Sequence, residues 1–378
     1  MKVLIAGDFV PQNRCIGFLK QSDCVTPFQD VISILEQVDF SIVNLESPVV
    51  EGIQTPIDKT GPNLCCPKET INYLKTIGFN AVTLANNHFY DYGEAGVNST
   101  IQNCKDNGVL TVGGGHNVKE ASIPLYVRKD VEVLAIINVC EKEWSIASDK
   151  HGGAAPLNII DTYHTIQEAR KKADYVLVIV HGGIELYQLP TPMMQDTYRF
   201  FVEAGADCIV NHHQHCLSGY EIYQGKPIVY GVGNFCFDRL RDNNEIWSKG
   251  YLTELDFSSY AVKLHIIPYV QFAEYPKVSV QTQINNCEIL NTIEELNKII
   301  VERSKLEESF NKFCDGIAES RFQALEPFRN KLVCYMQRHR LFPRLVKREG
   351  RKSMLMRVRC SSNRETLTRV LERYFNLD

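Results

Sequence analysis

The sequence predicts an α/β sandwich with a mixed sheet. Apolar runs of strand length alternate with segments of helical periodicity, the pattern of parallel strands joined by crossover helices. Two further runs flank Lys129-Asp130 and read as an antiparallel hairpin, which makes the sheet mixed. Run after run also ends in a residue that can bind metal or handle a proton. In α/β sheets, ligands bind beyond the carboxyl ends of strands, where loops from several strands converge.

The elements follow in order. A strand over residues 2–6 ends at Gly7-Asp8, and a helix over 26–37 places Val31, Ile34, Leu35 and Val38 at helical spacing. The run Phe40-Ser41-Ile42-Val43 leads into Asn44-Leu45-Glu46-Ser47-Pro48, then a loop reaches Pro67. A short helix over 68–77 is closed by Gly78. The strand over 81–85 terminates in Asn86-Asn87-His88, with Asp91 and Gly93 just beyond. A helix over 93–106, a strand over 109–112 and the hairpin over 125–127 and 131–139 come next. A helix over 161–172 precedes a nearly continuous apolar strand over 175–180, which ends at His181-Gly182-Gly183. A helix over 191–204 leads to the strand Asp207-Cys208-Ile209-Val210, followed by Asn211-His212-His213-Gln214-His215. Strands over 220–223, 227–230, 251–257 and 262–267 complete the pattern.

From about Asn291 the character changes to helix. Between Arg329 and Arg359 basic residues outnumber acidic ones eleven to one, with Glu349 the lone acid. The chain has 378 residues, is 44% hydrophobic and carries a net charge of -4, which leaves the distribution of charge more telling than its sum. Thirteen irregularly spaced cysteines, with Cys65-Cys66 adjacent and no C-x-x-C, argue against a disulfide framework and a thiolate zinc knot. Free thiols in a reducing cytoplasm are expected, with Cys140, Cys208 and Cys216 as small core residues. The apolar start Val3-Leu4-Ile5-Ala6 is too short for a signal peptide and is interrupted by Asp8. No run approaches the ~18 apolar residues of a membrane span. A cytoplasmic chain is expected, with a membrane-peripheral placement as the alternative.

Three of the ten histidines fall within four positions, 212–215. A strand ending in His-x-His aims two imidazoles at one point, because alternate residues of an extended segment face the same way. His213 and His215 are then inward-facing, and His212 points to the opposite face in a supporting role. Asp8, Glu46, Asn87, His88 and His181 occupy equivalent strand-end positions. Mixed carboxylate, amide and imidazole donors suit a divalent transition metal (manganese, zinc or iron) rather than calcium. Two such ions about 3.5–4 Å apart clamp the oxygens of a displacement at phosphorus, while a single ion activates water for attack on a carbonyl. Plainer roles stand beside these. Asp8 can cap a turn, Glu46 can be solvated, Asn87 and His88 can bond loop backbone, and His181 can be a core histidine. Asn234, after Gly231-Val232-Gly233, can be a turn residue, and that Gly-x-Gly lacks the following helix of a dinucleotide site.

Together these motifs resemble the bacterial capsule-synthesis CapA (poly-γ-glutamate synthesis) family, a branch of the calcineurin-like metallophosphatase superfamily. The matching segments are Gly7-Asp8, Asn44-Leu45-Glu46-Ser47-Pro48, Leu84-Ala85-Asn86-Asn87-His88 with Asp91-Tyr92-Gly93, and His181-Gly182-Gly183 with Glu185. Further matches are His212-His213-Gln214-His215 with Gly219-Tyr220-Glu221, and Tyr230-Gly231-Val232-Gly233-Asn234-Phe235 with Phe237-Asp238. The resemblance implies a four-layer α/β/β/α metallophosphatase-like sandwich over 1–275, followed by a basic helical C-terminal extension over 291–378. It also implies that Asp8, Glu46, Asn87, His181, His213 and His215 are metal ligands for one or two ions, with Glu46 bridging and His88 as proton donor. Asn86, Asp91, Glu185, His212 and Asn234 are then substrate-binding or supporting positions.

The sequence departs from the superfamily at Val10, where a histidine follows the first aspartate by two residues, and at Gly182, where tryptophan is common. The activity expected is metal-dependent hydrolysis of a phosphoester or related anionic substrate in capsule or exopolymer biosynthesis. One alternative is a non-catalytic scaffold that binds an anionic polymer or assembles a capsule-synthesis complex. A further alternative is a metal-dependent amide or γ-glutamyl hydrolase. The basic extension suits an acidic partner or an anionic membrane surface, and nucleic acid is not an expected partner.

Overall fold

A computed structural model describes residues 1–19, 25–239, 245–258, 261–281, 287–324, 330–339, 341–343 and 345–359. The strand Lys2–Val10 is buried at every position after Lys2, because it lies mid-sheet and is covered on both faces. It pairs in parallel with Phe40–Leu45, which continues to Ala81–Thr83 and Leu110–Val112. The helices Gln29–Leu35, Glu69–Ile77 and Gly93–Asp106 make the crossovers between these parallel strands. On its other side Lys2–Val10 pairs antiparallel with Lys249–Ser258, followed by Ala261–Gln271 and Val278–Val280.

A second sheet runs in the order Tyr220–Tyr223, Lys226–Val229, Cys208–His212, Tyr175–His181, Glu132–Cys140, Leu125–Lys129. Its outer strand pairs at both edges are antiparallel hairpins, and its centre is parallel, so it is mixed as the sequence predicts. The two sheets face each other across one apolar core. Val3, Ile5, Ile42 and Ala81 of the first sheet meet Leu134, Ile136, Leu177, Ile179 and Val210 of the second.

Helices cover the outer faces. On the first sheet, the rings of Phe9 and Phe235 pack at a tilt against Phe28, and Phe79 packs edge-on against Phe235. On the second, helices Ile159–Arg170 and Pro192–Glu203 bury Ile166, Ala169, Tyr198 and Phe201. The Thr191 side chain caps the second of these helices by accepting from Met194 N. The resulting layers are α/β/β/α.

One backbone contact sets the site. The short strand Asn234–Phe237 runs parallel to the far end of Lys2–Val10, and the register shifts between Asp8 and Phe9. A Cβ at Gly7 would lie 1.9 Å from Gly233 O, so only glycine admits this approach. The irregularity re-aims Asp8 toward the carboxyl edge of both sheets.

The chain divides into two compact units, Met1–Glu307 and Glu308–Asp378. The helix Glu288–Ile300 belongs to the first, with Ile289 and Ile293 in the shared core. The second contains the remainder of helix Arg303–Ala324 and the helices Lys331–Arg338 and Arg348–Arg359. Asn330 caps Lys331–Arg338 by accepting from Val333 N at 2.8 Å. Leu332, Tyr335, Leu355 and Val358 of these helices are exposed. Arg329, Arg340 and Arg344 of the basic stretch, and residues 360–378 after it, lie outside the described residues. Among the described residues, no helix is long and apolar enough to cross a membrane.

Candidate metal centre

Five strand ends meet at one point. Asp8 comes from the first strand, Glu46 follows Phe40–Leu45, Asn87 follows Ala81–Thr83, His181 ends Tyr175–His181, and His213 and His215 follow Cys208–His212. All six side chains are buried. Five of them form two groups, Asp8–Glu46–His215 and Glu46–His181–His213, whose ligand atoms lie within 4.8 Å of one another in each group. Glu46 is common to both.

The Glu46 carboxylate is the telling atom group. It is fully buried, and neither oxygen has a hydrogen-bond partner among the described residues. Its Oε1 lies 3.5 Å from His181 Nε2 and 3.6 Å from His215 Nε2. A buried carboxylate left without donors is costly, and burial pushes its pKa well above the usual carboxylate range. A divalent cation held by these residues would remove that cost. The donor set of two carboxylates, one amide and three imidazoles fits a transition-metal ion, or two sharing Glu46.

The imidazoles face inward by distinct atoms. His181 Nε2 lies 3.1 Å from Asn87 Oδ1 and 3.1 Å from His213 Nδ1. His215 Nδ1 donates to Asn234 Oδ1 at 2.9 Å, which leaves Nε2 toward Glu46. Asn234 also donates to His215 O and Trp247 O, so it fastens the loop that carries His215 and is more than a turn residue. Burial lowers the His181 and His213 pKa values, with neighbouring histidines adding to the effect. Burial also works against protonation of His215, but the Glu46 and Asp8 carboxylates outweigh it and raise the group to about 9. Asp8 is held well below the usual carboxylate range: burial opposes this, and the His215 hydrogen bond and the charges of His212 and His181 prevail.

Strand alternation places His213 and His215 on one face. The structure corrects this. The strand stops at His212, and His213 and His215 adopt φ of +88° and +52°. Their convergence comes from left-handed loop backbone, a conformation costly for residues with a Cβ and kept where surrounding contacts over-determine it. His212, by contrast, ends the strand and donates from Nε2 to Ala6 O at 3.0 Å.

His88 lies beside Asn87, with Nδ1 2.7 Å from Asp91 Oδ2. Asn86 accepts from His88 N and donates to Leu45 O, which holds the turn. Glu185 is exposed, on the loop beyond Gly183, and its charge acts on Glu46, His213 and His215. Val10 is buried against Phe237 and Trp247, so an apolar cluster stands where the superfamily carries a histidine.

Three residues here escaped the sequence reading. Asn44 donates to Asp8 Oδ1 at 2.7 Å and accepts from Thr83 and Asn86. Lys59, its side chain only 2% exposed, pairs with Asp91 and lies 3.2 Å from His88 Nδ1. Glu143 stands beside Asn87 and His213. Glu143 was within reach of the strand-end rule, since it follows Glu132–Cys140 by three residues.

The sequence profile of the family described as bacterial capsule synthesis protein PGA_cap matches residues 2–239. A capsule biosynthesis protein CapA of Bacillus anthracis is 32% identical over 220 residues, 56% of this chain and 54% of that protein. The PGA biosynthesis protein CapA of Bacillus subtilis is 32% identical over 237 residues, 62% of each chain. The chain thus spans little more than half the length of these relatives. A solved structure of a phosphatase from Mycoplasma pneumoniae aligns with TM-score 0.46 and 15% identity, over 78% of this chain and 99% of that one.

Proposed function

The chain belongs to the bacterial capsule synthesis protein PGA_cap family, and from that premise we propose that it is a metal-dependent hydrolase of a phosphoester or related anionic substrate. Its process in this reading is capsule or exopolymer biosynthesis, and its Bacillus relatives are named for capsule and PGA biosynthesis. The observation that carries the chemistry is Glu46, a fully buried carboxylate with two unpartnered oxygens shared by two ligand triads.

Asp8, Glu46 and His215 would hold one ion, and Glu46, His181, His213 and Asn87 the other. A bound divalent ion supplies Lewis-acid stabilisation of the charge that develops on oxygen. The chain's own residues do the rest. Asn44 and Asn234 orient Asp8 and His215 by hydrogen bonds of 2.7 and 2.9 Å. His88 is the proton donor to the leaving group in this reading: Asp91 Oδ2 lies 2.7 Å from Nδ1, which leaves Nε2 as the nitrogen to carry the transferred proton. Lys59 and Leu64 N both bond Asp91, fixing the carboxylate that fixes His88.

Metal content of the purified protein, with phosphodiester and phosphomonoester turnover for wild type and His213→Ala, tests the proposal. Metal bound by wild type, with turnover lost in the variant, is the expected result. Folded protein that takes up no metal and stays inactive in its presence sinks it.

Val10 favours a second reading, a non-catalytic scaffold that binds an anionic polymer, because the first triad has only three donors and an apolar neighbour. A His88→Ala strain with undiminished capsule supports the scaffold, and one that loses capsule supports the hydrolase.

A further inference from the structure

We propose that Glu143 is a positioning residue that sets two of the metal ligands, Asn87 and His213, from outside the centre. The inference rests on the metal-centre reading and goes beyond it by naming what orients the ligands. Glu143 lies three residues past the end of strand Glu132–Cys140, with its side chain 40% exposed. Its two oxygens face different partners. Oε2 accepts from Asn87 Nδ2 at 3.3 Å, and Oε1 lies 3.7 Å from His213 Nε2.

A carboxylate only accepts hydrogen bonds, so each group turned to it must present a donor. For Asn87 this places the NH2 outward and Oδ1 inward. For His213 the contact is electrostatic rather than a hydrogen bond: at 3.7 Å the carboxylate favours the tautomer with hydrogen on Nε2, leaving the Nδ1 lone pair free. Both freed atoms lie 3.1 Å from His181 Nε2, beside the unpartnered Glu46 Oε1 at 3.5 Å. One acceptor thus resolves two ambiguities that the ligands cannot resolve themselves: which end of an amide and which nitrogen of an imidazole meet the ion. Carboxylates behind metal-bound histidines fix tautomer and ring orientation in this way, and their loss costs 10–100-fold in affinity.

The other triad has a different device. There Asn234 Oδ1 accepts from His215 Nδ1 at 2.9 Å, and no Glu143 contact reaches it. Glu143 therefore acts on one binding step and not the other.

Calorimetric titration of the full chain with Mn(II), and separately with Zn(II), tests this for wild type, Glu143→Ala and Glu143→Gln. Selective 15N-histidine labelling reports the His213 tautomer in the same proteins. The expected result is one binding step weakened about 10- to 100-fold in Glu143→Ala. The second step is unchanged, and His213 loses its fixed Nε2–H state. Glu143→Gln, which keeps one accepting oxygen, loses less and serves if the alanine variant misfolds. Wild-type protein that binds metal, with variants unchanged in both affinity and tautomer, overturns the inference alone. Wild-type protein that binds neither ion overturns the metal-centre reading along with it.

Discussion

His213 and His215 are separated by a single residue, yet they serve different triads, His213 with Glu46 and His181, His215 with Asp8 and Glu46. Their ring centroids are 6.0 Å apart. The two left-handed residues splay the rings, and Glu46 joins what they separate.

That division makes the two histidines separable by titration. His213→Ala is expected to remove one metal-binding step and His215→Ala the other, each leaving a residual site with its remaining ligands. Calorimetry on the two variants checks it, and loss of both steps in either variant contradicts the assignment.

Glu46→Gln should separate stability from metal response. In metal-free protein the substitution removes a buried carboxylate that lacks hydrogen-bond donors, but also the charge that favours protonated His215, so the melting temperature should change little. Saturating metal should raise wild-type stability by about 2.7 kcal/mol at a hundredfold excess over Kd, and should raise the variant far less. Thermal melts with chelator and with Mn(II) measure both halves.

Val10→His tests the asymmetry of the centre. Val10 lies two residues beyond Asp8 on the first strand, and supplies no donor to a triad that has three. An imidazole there should tighten the weaker metal step about tenfold, equal to about 1.4 kcal/mol. Crowding against Phe237 and Trp247 should cost roughly 1–3 kcal/mol of stability. Titration and chemical denaturation read the two effects independently, and an unchanged weaker step argues against a metal position beside Asp8.

Lys59→Met addresses the loop that crosses the site. The change leaves Asp91 buried without its cation, at a cost of about 3 kcal/mol. Asp91 retains Leu64 N and His88, so metal affinity should hold while turnover falls. Urea denaturation and the metal titration together check it, and weakened metal binding would place Lys59 in a wider structural role.

The strand-end rule made much of this legible in the sequence. Asp8, Glu46, Asn87 and His181 each follow an apolar run long enough to be recognised, and position after a strand is what brings them together. Asn44 was hidden because it follows the same run as Glu46, and the carboxylate is the stronger metal donor of the two. Lys59 was hidden for another reason. It sits in a loop without periodicity, and only tertiary contact with Asp91 distinguishes it from any exposed lysine. The histidine loop was found by composition but misread in mechanism, because alternation along a strand and two left-handed residues bring the same pair inward by different paths.

The close approach of Gly7 to Gly233 has a consequence for how the protein acquires its centre. Asp8 donates its backbone N–H to Gly233 O at 3.3 Å and pairs in register with Asn234, more than two hundred residues along the chain. Contacts of such sequence separation form late, because the closure of a long loop must precede any gain from them. During synthesis the first ligand emerges early and waits for the strand that aims it. The metal is thus expected to bind a nearly finished fold and to report its completion, rather than to nucleate it.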